Sequence, residues 1–194
     1  MKKRINLFVC LLLLAAWIAV PNTTAYAKDD ITGIKLEAEM RAMIERGVIQ
    51  GFGPGKYEPY LNVTRGQFAA FITRALDLPE GPAVFTDVPK TSRLFTSINS
   101  ASAAGIVNGY TKTTFGPNDP ISREQASAMI DNAMKYKGII RSEATLDFSD
   151  AAQISNAFKP AVAKNAKDGI IRGIPNSDGT FRFAPKKTAS RAEA

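Results

Sequence analysis

Three arginines carry the first sign of chemistry in this sequence. Arg65, Arg123 and Arg191 each follow a hydroxyl residue, in "VTRGQ", "ISREQ" and "ASRAE". The Ser/Thr-x-x-Gln/Glu frame around each is a capping box, which opens a helix. It puts the guanidinium in a first helical turn, where the backbone carries about +0.5 of an elementary charge and a cation costs roughly 0.3–1 kcal/mol. The free N–H groups of such a turn attract anions, and a guanidinium adds a planar fork that fits a carboxylate. An anionic ligand would therefore account for an otherwise misplaced charge. The other candidate groups are carboxylates. Asp87 and Asp150 each lie two residues after a phenylalanine, in "FTD" and "FSD". They could pair for glycoside cleavage or serve as turn and N-cap residues. The chain has no histidine, and its one cysteine, Cys10, lies near the start. That excludes histidine-based triads and histidine-ligated zinc. No catalytic residue, metal ligand or cofactor is assigned.

The elements that position these groups follow from aligning the chain on its own arginines, since internal repeats decide an architecture. Segments 46–67, 104–125 and 168–193 superpose. Tyr57, Phe115 and Phe183 stand eight residues before the arginine, and Pro59, Pro117 and Pro185 stand six before it. Gly51 and Gly109 lie 14 residues upstream, while Gly173 lies four further because the third copy has a longer turn, "IPNSDGTFRF". These glycines either let backbone approach a ligand or meet a turn requirement. Counting back from Gly47, Gly105 and Gly169 makes Asp29 the first-copy equivalent of Asp87 and Asp150.

Apolar residues at helical spacing precede each first glycine: Leu36, Met40 and Met43; Leu94, Ile98 and Ala101; Ile154, Phe158 and Val162. Gly47, Gly105 and Gly169 then sit where a left-handed cap would end a helix. After the looped arm, the capping box starts a second helix. Each copy reads as helix, arm, helix, a unit too small to bury a core alone, so the copies must pack on one another. The expected fold is all-α: three helix–loop–helix repeats at 28–80, 81–144 and 145–194. The third stops four residues into its last helix, so the chain reads as a piece of a longer protein or a truncated reading frame.

Residues 1–27 have the layout of a secretory signal peptide. Lys2, Lys3 and Arg4 precede an apolar run from Ile5 to Val20, and Ala25-Tyr26-Ala27 forms the cleavage site. The run is shorter than the roughly 20 residues of a spanning helix. Removing it takes away the only cysteine and lowers the net charge from +7 to +4. The exported chain would hold together without disulfides, and its modest positive charge suits an anionic partner. The N-x-[ST] matches at Asn22 and Asn62 read as incidental.

The F-x-D starts, the G-[VI]-[VI]-x-G stretches, the aromatic-x-Pro loops and the Ser/Thr-Arg signatures together resemble the S-layer homology family. That resemblance covers nearly all of the chain after residue 27. It implies a pseudo-threefold bundle with radiating arms. It also implies grooves between copies that bind a secondary cell-wall polysaccharide, often one capped by a pyruvylated amino sugar. On this basis the ligand-binding residues are Arg65, Arg123 and Arg191, with Asp29, Asp87, Asp150, Gly51, Gly109 and Gly173 around them. The signature departs from the family in "TRGQ", where Gly66 and Gln67 replace an acidic pattern, and in "SREQ", where acid and amide are exchanged. The implied role is non-covalent anchoring on the cell wall of a Gram-positive-type bacterium, without nucleic acid and without a membrane once the leader is cleaved. A longer parent could be an S-layer protein or a surface enzyme. The competing reading is a helical protein-interaction scaffold with structural arginines.

Overall fold

A computed structural model describes residues 29–194. The signal peptide read at 1–27 lies outside them. Five α-helices carry the fold: α1 Glu37–Glu45, α2 Arg65–Leu76, α3 Phe95–Ala103, α4 Arg123–Tyr136 and α5 Lys159–Lys167. A 3-10 turn, Ala151–Gln153, precedes α5.

The helix ends have the expected causes. In α2 and α4 both halves of the capping box form, Thr64 with Gln67 and Ser122 with Gln125. The third box also closes: Ser190 N–H donates to Glu193 at 3.0 Å and Glu193 N–H donates back to Ser190 Oγ at 3.3 Å. At the other ends, Gly47, Gly105 and Gly169 have φ of +70°, +68° and +70°. The N–H of the following residue reaches five positions back in each case: Val48 to Met43 O, Ile106 to Ala101 O and Ile170 to Asn165 O, each at 2.9 Å. This is the Schellman termination, which favours glycine because it requires a left-handed residue.

Two features differ from the sequence reading. Ile154 is extended and ends the 3-10 turn, and α5 begins at Lys159. Pro160 sets that boundary, because its missing N–H is tolerated only in a first turn. The third arm also forms a short antiparallel hairpin, β1 Ile174–Pro175 with β2 Phe181–Arg182, in register Ile174 to Arg182. The four-residue insertion supplies its length; the first arm makes only the single bridge Gly53 to Lys56.

The copies close into a ring through three backbone bonds at their centre. Val63 N–H donates to Ala189 O at 2.9 Å, Ile121 N–H to Val63 O at 3.0 Å and Ala189 N–H to Ile121 O at 3.4 Å. Around this hub α2 packs on α3 and α4 on α5, so each second helix rests on the first helix of the next copy. One apolar core runs through the first two copies, from Ile31 and Met40 through Val63 and Phe68 to Ile98, Phe115 and Ile121. Burying a side chain such as Phe115 stabilises by roughly 1.5–3 kcal/mol. The third copy has a smaller separate core of Ile154, Val162 and Phe183.

The seam between copies two and three is correspondingly polar. Arg141 bridges Asp131 of α4 and Asp168, and also donates to Asn165 Oδ1 at 2.7 Å. Asn165 in turn donates to the carbonyl and hydroxyl of Ser127, both at 2.8 Å.

Candidate functional site

Each arginine starts in one copy and ends in the arm of the next. Arg65 donates from Nε to Phe115 O at 3.1 Å and from Nη2 to Asn108 O at 3.0 Å. Arg123 makes the same pair with Phe183 O at 2.8 Å and Arg172 O at 2.9 Å. Arg191 closes the ring on the first arm, with Tyr57 O at 2.7 Å and Gln50 O at 2.8 Å. The three sites are therefore equivalent and lie between copies.

The helix N–H groups expected to attract an anion are not free. Arg65 N–H donates to Asp119 O and Gly66 N–H to Pro117 O; Arg123 and Glu124 donate to Lys187 O and Pro185 O; Arg191 and Ala192 donate to Leu61 O and Pro59 O. The aromatic-x-Pro loop of the neighbouring copy thus satisfies the first turn, and the capping hydroxyl takes the third N–H. This corrects the sequence-based rationale. The loop carbonyls also offset the cost of a cation in that turn.

What remains open is one edge of each guanidinium. Nη1 of Arg65, Arg123 and Arg191 has no hydrogen-bond partner among the described residues, yet it is not sealed from solvent. Arg65 and Arg191 are only 4% and 2% exposed. Burial lowers the pKa of all three, offset at Arg65 by Tyr110, Asp119 and Asp87, at Arg123 by Glu193 and Asp150, and at Arg191 by Asp30 and Glu58. Arginine nonetheless stays charged. None forms an ion pair among the described residues. Buried charges are ordinarily paired, so these cations retain a charge that an anionic ligand would neutralise.

The aspartates set the carbonyls that the arginines use. Asp87 accepts from Phe115 N–H at 2.9 Å and Gly116 N–H at 2.8 Å, and Asp150 accepts from Phe183 N–H at 2.7 Å and Ala184 N–H at 2.8 Å. In the first copy this role belongs to Asp30, which accepts from Tyr57 N–H at 2.8 Å and Glu58 N–H at 2.7 Å. Asp29 is therefore not the structural equivalent; Arg41 and Thr32 hold its carboxylate, with Arg41 first in drawing its pKa down to about 2. The count from Gly47 fails because the segment between aspartate and helix differs in length among the copies. Each clamped peptide leads into a left-handed residue, Glu58, Gly116 or Ala184, with φ of +54°, +72° and +56°. The aspartate stabilises a bend that Glu58 and Ala184 would otherwise disfavour. At Asp87 burial raises the pKa, but the N–H bonds from Gly116 and Phe115 outweigh it and the net direction is down.

The glycines make room for the arm itself. A methyl group on Gly51 would lie 2.7 Å from Lys56 O. On Gly109 it would meet Thr114 O and lie 2.7 Å from the Phe85 ring, and on Gly173 it would lie 2.7 Å from Phe181 Cβ. Beside Arg65 runs a groove of about 140 Å³, lined by Ile106, Asn108, Gly109, Gln125, Met129 and Asn132.

Aromatic faces distinguish the sites. The Arg65 guanidinium lies 4.4 Å from the ring centre of half-exposed Tyr110, and that of Arg191 lies 4.8 Å from Phe52. Cation–π contacts of this kind contribute roughly 0.5–2 kcal/mol. The equivalent residue beside Arg123 is Ile174, so that arginine meets only Phe183, at 5.1 Å. The helix starts differ too. Gly66 packs against Leu94 and Ile98, whereas buried Glu124 binds Ser155 and Lys186. Sequence reading missed the acceptors Gln50, Asn108 and Arg172 because they act through carbonyls. The recurrence of an aromatic after Gly51 and Gly109 was the readable trace of Phe52 and Tyr110.

Comparison with known proteins agrees with this architecture. The S-layer homology domain matches residues 29–69, 84–127 and 147–194. An amylopullulanase of Thermoanaerobacterium thermosulfurigenes is 35% identical over 80% of this chain, and exoglucanase XynX of Acetivibrio thermocellus is 34% identical over 80%. A surface-layer 125 kDa protein of Lysinibacillus sphaericus is 28% identical over 93%. The matches span only 8%, 14% and 15% of those proteins. The three matched segments coincide with the three arms and their arginines, and the chain belongs to the S-layer homology family.

Proposed function

We propose that this chain anchors protein non-covalently to the bacterial cell wall by binding a carboxylate-bearing secondary wall polysaccharide in the grooves beside Arg65, Arg123 and Arg191. The observation that carries this reading is the threefold recurrence of a guanidinium, buried at Arg65 and Arg191 and half-buried at Arg123, held by two neutral carbonyls with Nη1 open and no ion pair among the described residues. A carboxylate such as a pyruvate ketal would accept from that edge. A charge-assisted bond of this type contributes roughly 1.5–3 kcal/mol. Individually weak sites on one chain gain avidity on a repeating polymer. Relatives that are glycanases or surface-layer proteins many times longer support a role as the wall-binding part of a larger surface protein.

Co-sedimentation of the chain with purified wall sacculi tests the reading. Arg65→Lys with Arg191→Lys keeps the charge but loses the fork and its open edge. We expect binding to fall at least about tenfold per site, the equivalent of one such bond, while circular dichroism stays helical. Undiminished sedimentation of the folded double variant would refute it.

A further inference from the structure

A cavity of about 990 Å³ lies in the third copy, away from the Arg65 and Arg191 grooves. It separates the linker into that copy from α5 and the arm. Phe148, Ile171 and Phe181 supply apolar faces, Lys167 and Arg172 stand on the α5 and arm side, and Glu143 and Asp147 stand on the linker side. Its size falls at the upper end of small-ligand sites.

The second copy closes the same place. There the linker runs from Leu78 to Phe85, two residues shorter than the run from Ile139 to Phe148. Gly81 lies so close to α3 that a methyl group would meet Asn99 O and come within 2.6 Å of Ala103 Cβ. Val84 N–H is tied to Asn99 Oδ1 at 3.1 Å. In the third copy the longer linker arches instead, held at its foot by Arg141 and by Lys167 Nζ donating to Ser142 Oγ at 2.7 Å. The opening is thus present in the third copy and closed in the second.

Its position ties it to the wall-binding reading. Arg172 offers its carbonyl to Arg123 Nη2 at 2.9 Å and also lines the cavity; the residue is exposed, and its guanidinium makes no hydrogen bond among the described residues. One residue therefore belongs to both places. Half-exposed Phe181 offers a ring face of the kind on which a pyranose packs, and carboxylates opposite a free cation suit a sugar with hydroxyls on one edge and a negative charge on the other.

Resting on the anchoring reading, we infer that this cavity is a second subsite, taking the next sugars of an anionic glycan whose terminal carboxylate sits at Arg123. Arg172 would bind a further negative group of the glycan and Phe181 would pack on a ring. The test is calorimetry of the full chain with acid-released wall-polysaccharide fragments fractionated by length. Affinity should rise from the single terminal sugar to fragments of three or four sugars by about tenfold, the equivalent of one charge-assisted bond. Arg172→Gln and Phe181→Ala should each remove that rise. Phe181→Ala leaves every group that holds Arg123 in place, so its terminal-sugar binding should stay unchanged, which also reports an intact fold. A rise with length that survives in both variants would overturn the subsite and leave the anchoring reading standing. Failure of the unaltered chain to bind any fragment would overturn both.

Discussion

Replacing Asp87 tests how the arm is built and why the arginine site depends on it. Its carboxylate accepts two N–H groups, from Phe115 and Gly116, and the carbonyl of Phe115 in turn accepts from Arg65 Nε. Hydrogen bonds to a charged group contribute roughly 1.5–3 kcal/mol each. Asp87→Ala removes two, for a loss of about 3 kcal/mol or more. Asp87→Asn keeps one acceptor oxygen and should lose about half of that. Urea denaturation gives the free energies, and native-state hydrogen exchange gives the location. Exchange at the Phe115 and Gly116 amides should accelerate in both variants, while the hub amides of Val63 and Ile121 follow only the global change. Ligand binding at the Arg65 groove should weaken in parallel, because the carbonyl that orients the guanidinium is no longer fixed. Unchanged protection at Phe115 and Gly116, with a stability loss below about 0.5 kcal/mol, the scale of an ordinary surface substitution, would refute the relay from aspartate through peptide to arginine.

Three further outcomes follow from the same contacts. Asp30→Asn should expose the amides of Tyr57 and Glu58 to exchange, whereas Asp29→Asn should leave them protected and disturb only Arg41 and Thr32; equal effects would contradict the assignment of Asp30. Gly109→Ala should destabilise by about 1–3 kcal/mol through overpacking against Thr114 and Phe85, while Gly53→Ala, with open space around it, should cost far less in the same thermal melt. At Asp131 burial raises the pKa, but Lys135 and Arg141 outweigh it and the net direction is down. Its contribution is therefore present above the unfolded value near 3.8 and is lost as pH falls through the lower folded value. The melting midpoint should drop on acidification below about pH 4, and Asp131→Asn should flatten that part of the profile.

Much of this fold was legible because its determinants are side chains with fixed local meanings. Capping boxes marked the starts of α2 and α4, and the glycines at 47, 105 and 169 marked left-handed helix ends. Aligning the arginines revealed the copies, while their pseudo-threefold closure was implied by the family resemblance. The partners of those arginines were not legible, since they are carbonyls and any residue can supply one. Gln50, Asn108 and Arg172 share no side-chain property. That also hid the fate of the helix N–H groups, which a neighbouring copy satisfies. The aspartate register failed for a related reason: "DD" at 29–30 offers two carboxylates, and only the bend at Tyr57 and Glu58 selects the second. The start of α5 is marked by Pro160, whose missing N–H fits only a first turn and overrides the apolar spacing from Ile154.

The most direct test of the central claim is calorimetric titration of the chain with purified secondary wall polysaccharide, in native form and after chemical removal of its carboxylate-bearing groups. If the open edges of Arg65, Arg123 and Arg191 recognise the glycan through its charge, removal should lower affinity at least about tenfold, and added salt should weaken only the native interaction. Equal affinity for both forms would contradict the account.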